Sequence, residues 1–161
     1  ADPRPSGGSL FRIHRDVRSS KDKSPDKTHA GAHFPLGGKG GHGPGYYLHL
    51  EPGECFVAGG MWMPEPEVLQ QIRQRIADKP SEWAKAHGKL DHSEETLKRP
   101  PRGFDPDHPM IEDIKRKSFT SSVRLTDKQV TGPNLMTTFV KSCDRISPLM
   151  RFLATAAGVA W

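Results

Sequence analysis

The stretch that decides the fold is Tyr46-Tyr-Leu-His-Leu50, Glu51-Pro-Gly-Glu54, Cys55-Phe-Val-Ala-Gly-Gly-Met-Trp-Met63. Two runs of strong β-formers flank a Pro-Gly turn, which is the pattern of an antiparallel hairpin. Tyr46, Leu48 and Leu50 share one parity, and Tyr47 and His49 the other. One face of such a strand belongs to the core, and the other borders a pocket or solvent. Gly59-Gly60 interrupts the third strand and predicts a bulge or a close backbone approach.

Working outward, Leu10-Phe-Arg-Ile-His-Arg-Asp-Val17 reads as a first strand. Residues 18–27 are charged, contain Pro25 and read as a loop. Residues 37–45 hold six glycines in nine positions and read as a flexible loop. After the hairpin, Pro64-Glu-Pro-Glu67 opens a helix with Val68, Leu69, Ile72 and Ile76 as its apolar stripe. Pro80 ends that helix, and Ser81 caps a shorter one that carries Trp83 and stops at Gly88. Residues 110–117 give one or two helical turns, residues 119–125 a short strand, and Thr126-Asp127 a helix cap. A last helix spans residues 134–157, with Pro148 expected to kink or split it. The order predicts a single α+β domain over residues 1–161, an antiparallel or mixed sheet with helices on one face. Parallel βαβ repetition is absent, which argues against a doubly wound nucleotide-binding fold.

The bulk numbers fit one such domain. The chain has 161 residues, 34% of them hydrophobic, with 16 glycines and 15 prolines, so a modest core is wrapped in much turn and loop. The net charge of +5 leans towards anionic partners such as phosphate, nucleic acid or an acidic protein face. Two distant cysteines, Cys55 and Cys143, form no metal knuckle or redox pair and fit a reducing, cytoplasmic setting. No apolar run approaches a membrane span.

Chemistry concentrates in residues 12–27. Six Lys/Arg stand there against three Asp, a net +3. Arg12, His14 and Asp16 share a strand face, and Arg15, Arg18, Lys21, Lys23 and Lys27 follow. Guanidinium forks and ammonium groups grip phosphate or carboxylate, and the alternative is a solvated loop of mutual ion pairs. Secondary candidates are Lys98, Arg99 and Arg102 in the proline-rich run 97–109, and Lys117 in the basic cluster 115–117. In that run Asp105, Asp107 and His108 offer a base or metal ligands, or else Phe104 simply plugs the core. Histidines 14, 29, 33, 42 and 49 crowd the N-terminal third. Their neutral imidazoles can hold zinc or another transition metal, but His29 and His33, four apart, share a face only on a helix, and their glycine-rich context argues against one. No Cys pair or H-E-x-x-H accompanies them. Neither a metal nor a cofactor is expected. No nucleophile elbow, P-loop or dinucleotide fingerprint occurs.

Four segments carry a family likeness: residues 9–18 (SLFRIHRDVR), residues 20–29 (SKDKSPDKTH), residues 45–54 (GYYLHLEPGE) and residues 98–109 (KRPPRGFDPDHP). In that order they resemble the domain-of-unknown-function family 2461, over nearly the whole chain. The resemblance implies an intracellular α+β domain and directs attention to Arg12, His14, Arg15, Asp16, Arg18, Lys21, Asp22, Lys23 and Lys27. It brings no reaction. Family members usually carry a further helical N-terminal segment, which this chain is expected to lack, and the family pattern has aromatics where this chain has Ser19 and Asp26. The expectation is therefore an anion-binding module. Two alternatives stand beside it. One is an enzyme using His14 and Asp16, with Arg15 or Arg18, on a phosphorylated or carboxylated small molecule. The other is an interaction domain that self-associates through exposed sheet surface.

Overall fold

The computed structural model describes residues 8–12, 26–37, 43–91 and 96–161. Its sheet has four strands: β1 (Ala30–Pro35), β2 (Gly45–Leu50), β3 (Cys55–Met61) and β4 (Phe119–Leu125). They run β1-β2-β3-β4, every neighbouring pair antiparallel. The predicted hairpin is β2–β3, with Tyr47 opposite Ala58 and His49 opposite Phe56. Its turn closes through the Glu54 amide on the Glu51 carbonyl at 2.9 Å. Pro52 and Gly53 occupy the two central positions, and Gly53 takes φ 77°, as a type II turn requires there.

The helices are α1 (Pro66–Asp78), α2 (Pro80–Ala86), α3 (Ile111–Ile114), α4 (Asp127–Thr131) and α5 (Leu135–Ala156). The stripe Val68, Ile72 and Ile76 of α1 is buried, as expected from its period. With Trp83 of α2 and Leu149, Met150, Phe152 and Leu153 of α5 it packs on Met61 and Phe119 of the sheet. A smaller cluster joins Cys55, Val57 and Leu125 to Leu48, Leu50, Leu135 and Phe139. These strand residues share one face of the sheet, because side chains alternate along each strand. The expected α+β layering, helices on one face of an antiparallel sheet, is present. The other face carries Tyr47, His49, Phe56 and Arg124.

Trp83 is the largest fully buried side chain. Its ring meets Phe119 edge-on at 5.9 Å and Phe152 at 5.0 Å, and its indole N–H donates to Asp113 at 2.8 Å. That bond satisfies the one polar atom that the burial would otherwise strand. The Gly59-Gly60 pair is a close approach rather than a bulge, since the β3–β4 register runs through it without a break. A Cβ on Gly59 would meet Ile146 of α5 at 2.8 Å, and one on Gly60 would collide with the Phe119 carbonyl oxygen.

Several expectations need correction. The strand read over residues 10–17 lies mostly outside the described residues, 13–17 among them, and its described start makes an antiparallel bridge, Leu10 to Ala32. Between it and β2 lies a strand that the sequence reading did not place, β1. Ala30-Gly-Ala-His-Phe-Pro35 has little β propensity, and its neighbours on both sides create it: β2 pairs along one edge, and residues 9–11 along the other. Pro80 does not merely end α1 but opens α2 at its first position, with Lys79 in the cap position that the sequence reading gave to Ser81. Pro148 sits inside α5 without splitting it. The cap at Thr126 is a full capping box with Gln129.

Candidate functional site

Strand parity builds the site. Tyr47, His49 and Glu51 are spaced by two residues, so their side chains share the face turned away from the helices. Across the β1–β2 pair, Gly31 stands opposite His49. Continuing that antiparallel register by two residues puts His29 across from Glu51. Gly31 has no side chain there, and the Tyr47 hydroxyl takes the space: a Cβ on Gly31 would lie 2.7 Å from it. The hydroxyl sits 3.1 Å from His49 Nδ1, and His49 Nε2 sits 3.3 Å from Glu51 Oε2. The His49 ring is clamped between His29 (centroids 4.7 Å apart) and Phe56 (4.8 Å, stacked at 15°). Its side chain is only 13% exposed, that of Glu51 29%.

The electrostatics follow from these contacts. A hydrogen bond from Thr28, then the one from His49 and the charges of both histidines, hold the Glu51 carboxyl below its ordinary range. Burial pushes the Tyr47 phenol upward, keeping it protonated. Neutral His49 satisfies both neighbours when the Tyr47 O–H donates to Nδ1 and Nε2–H donates to Glu51. The turn that carries Glu51 is fastened from below. Arg124 donates to the Gly53 carbonyl at 2.7 Å, the Gly53 amide donates to Asp127 at 3.1 Å, and the Cys55 thiol reaches the Glu51 carbonyl at 3.0 Å.

Phe11 and Lys27, which flank the basic segment, meet this face at its border. Phe11 packs on Tyr47 with centroids 6.0 Å apart, and Lys27 Nζ lies 5.6 Å over the Phe11 ring. Tyr47 in turn lies 6.0 Å from Phe56, so the rings form a continuous row. Arg12 is exposed next to Phe11 in sequence. His14, Arg15, Asp16, Arg18, Lys21 and Lys23 lie outside the described residues.

The secondary candidates separate into two kinds. Lys98, Arg99 and Arg102 are exposed on the loop whose Leu97 amide bonds the Lys115 carbonyl. In the cluster 115–117, Lys115 pairs with Glu112 at 3.0 Å. Arg116 pairs with Asp113 at 3.1 Å and donates to the Asp91 carbonyl. Those two cations serve the local structure, and Lys117 is half-buried beside them. His108 is likewise structural, its Nδ1 accepting from the Met110 amide at 3.1 Å and its Nε2 facing the Ala77 carbonyl at 3.2 Å. With both ring nitrogens engaged, it has no lone pair left for a substrate or a metal. Phe104 packs against the main core. Asp105 and Asp107 of the same run are exposed, the Asp107 amide donating to Asp105 at 2.9 Å.

Sequence reasoning placed Tyr47 and His49 on an outward face but missed His29 and Glu51 as their companions. The signal for Glu51 was its parity with Tyr47 and His49. For His29 the only signal was its membership, with His49, in the group of N-terminal histidines, because its position depends on a strand that the local sequence does not announce. His33 stands opposite Tyr47 in β1, beside a cavity of about 360 Å³ lined also by Trp62, Met63 and Glu65. A larger cavity, about 480 Å³, lies on the helical side between Arg75, Lys85, Asp144 and Arg151. No helix among the described residues is long and apolar enough to cross a membrane.

No curated protein and no solved structure matches the chain. Residues 1–152 match the conserved hypothetical protein family DUF2461, and the chain belongs to that family.

Proposed function

We propose that this protein is an anion-binding module. Its ligand is a phosphate group or a nucleic-acid backbone, taken at the edge of the sheet face turned away from the described helices. The observation that carries this reading is Lys27 Nζ over Phe11, at the end of the ring row Phe11–Tyr47–Phe56. A cation beside a row of ring faces offers charge to a phosphate and a surface to a base or other flat group. The surplus of +3 in residues 12–27 adds to it. Arg12, Lys27 and the neighbouring Arg15, Arg18, Lys21 and Lys23, with His14 and Asp16 among them, supply or orient the charge. Lys98, Arg102 and Lys117 are the candidates for an extension of the surface.

The test is fluorescence anisotropy with a labelled single-stranded oligonucleotide, with inorganic polyphosphate as competitor, over a series of salt concentrations. Binding should weaken linearly in log–log form, with a slope of about −0.7 per phosphate contacted. The double variant Arg12→Ala/Lys27→Ala should flatten that slope and cut affinity at low salt at least about tenfold. No binding at low salt, or binding indifferent to salt and to the double variant, would defeat the reading.

A further inference from the structure

Among the described residues, three metal-ligating side chains of the outer sheet face converge. His29, His49 and Glu51 each present one ligand atom, and these atoms all lie within 4.8 Å of one another. We infer that they form a binding site for a divalent transition metal of the zinc class, with two imidazole nitrogens, one carboxylate oxygen and a fourth position open. The inference stands on geometry alone and does not rest on the anion-binding reading.

Four observations support it. First, atoms bound at about 2.1 Å around a tetrahedral ion lie about 3.4 Å apart. His49 Nε2 and Glu51 Oε2 are already 3.3 Å apart. His29 precedes β1 and is only half-buried, and a movement of its ring nitrogen by about 1.5 Å closes the triangle. Second, the donor set is of one chemical kind. Two neutral imidazoles and a carboxylate suit zinc and its neighbours, whereas calcium and magnesium prefer oxygen ligands alone.

Third, His49 has an outer partner. A ligating histidine ordinarily fixes its second nitrogen through a hydrogen bond. The Tyr47 hydroxyl, 3.1 Å from Nδ1, stands in that place. When the metal takes Nε2, the imidazole proton moves to Nδ1 and is donated to the Tyr47 oxygen, so the pair stays bonded and no net proton is lost from it. Fourth, the scaffold is braced. His49 is held between His29 and Phe56, and the Glu51 turn is tied to Arg124 and to Cys55. Three protein ligands with an open position is the arrangement in which zinc binds a water or a substrate atom. One carboxylate leaves the bound ion with a net charge of about +1, so the open position favours an anion.

The test uses chelator-treated protein titrated with Zn²⁺ by calorimetry and with Co²⁺ by visible absorption. One ion per chain is expected, with the intense absorption of a four-coordinate cobalt site. His49→Ala and Glu51→Gln should each weaken binding about a hundredfold or more and abolish the bands. Tyr47→Phe should retain the stoichiometry and weaken binding about tenfold. His33→Ala, outside the trio, should change nothing. Should His49→Ala fail to fold, His29→Ala and Glu51→Gln, at the strand ends, carry the test. Absence of stoichiometric binding, or binding unmoved by Glu51→Gln and His29→Ala, would overturn the inference. A response of Arg12→Ala/Lys27→Ala in anion affinity without change in Zn²⁺ affinity separates the two proposals, and either can fail alone.

Discussion

Gly31 and Tyr47 fit together across the β1–β2 pair: the phenol oxygen of Tyr47 occupies the volume that a Cβ at residue 31 would need, 2.7 Å away. The same oxygen orients His49. Gly31→Ala should therefore push the Tyr47 ring aside and break its bond to His49. Overpacking of this kind costs about 1–3 kcal/mol. Urea unfolding measures the loss, and Gly31→Ala/Tyr47→Phe, which removes the oxygen, should recover part of it. Equal stability of Gly31→Ala and the parent chain would refute the fit.

Two glycines with positive φ should behave differently. Gly60 has φ 139°, and its missing side chain faces the Phe119 backbone. Gly53 has φ 77° with open space around it. Gly53→Ala meets only the conformational penalty, about 1 kcal/mol. Gly60→Ala meets that penalty and must also force β3 from β4, so its loss should exceed about 3 kcal/mol. Thermal melts of the two variants, side by side, decide whether the sheet has this tolerance at the turn and not at the strand.

The indole of Trp83 and the carboxylate of Asp113 form the polar bond beneath the main core. Trp83→Phe keeps a ring between Phe119 and Phe152 but leaves Asp113 with one partner fewer. A loss of about 2–4 kcal/mol is expected, from lost volume and from the hydrogen bond to a charged group. Asp113→Asn retains an acceptor and should cost less. The reverse order in denaturant midpoints would contradict the role assigned to this bond.

Burial, and then the charge of Asp144, push the Cys143 thiol up to about 11 from 9.0. An acid whose folded value is raised favours the folded state below its unfolded value. That contribution is lost as the pH rises from 9.0 to about 11, because the unfolded thiol ionises first. Below pH 9 the thiolate fraction is about a hundredfold lower than that of a free thiol. In Cys55→Ser protein, iodoacetamide should accordingly modify Cys143 about a hundredfold more slowly at pH 8 than it modifies a small thiol. Its rate should still be climbing above pH 10. Modification at the free-thiol rate in folded protein would contradict the burial.

Local pattern made some elements legible and could not make others so. β4 appears at the predicted limits, and α1, α5 and the Thr126 cap lie within two or three residues of theirs. Each carries its own signal in side-chain period or cap chemistry. The β2–β3 hairpin was readable for the same reason. β1 was not, because Ala30-Gly-Ala-His-Phe-Pro35 is a strand only by virtue of its partners. The Gly-Gly pair in β3 announced a bulge or a close approach, and the fold decided for the approach and supplied its partners, Ile146 on one side and the Phe119 backbone on the other.

The candidate sites divide along the same line. Sequence alone determined the basic character of residues 12–27 and the outward parity of Tyr47 and His49, since charge and alternation are properties of neighbouring residues. Tertiary structure decided that Phe11 brings Lys27 to the ring row, that Arg116 and His108 are spent on structure, and that His29 meets His49 and Glu51. The last of these meetings joins residues about 20 apart in the chain through a strand register that is set by pairing across the sheet. Register is a relation between two segments, and neither segment states it alone.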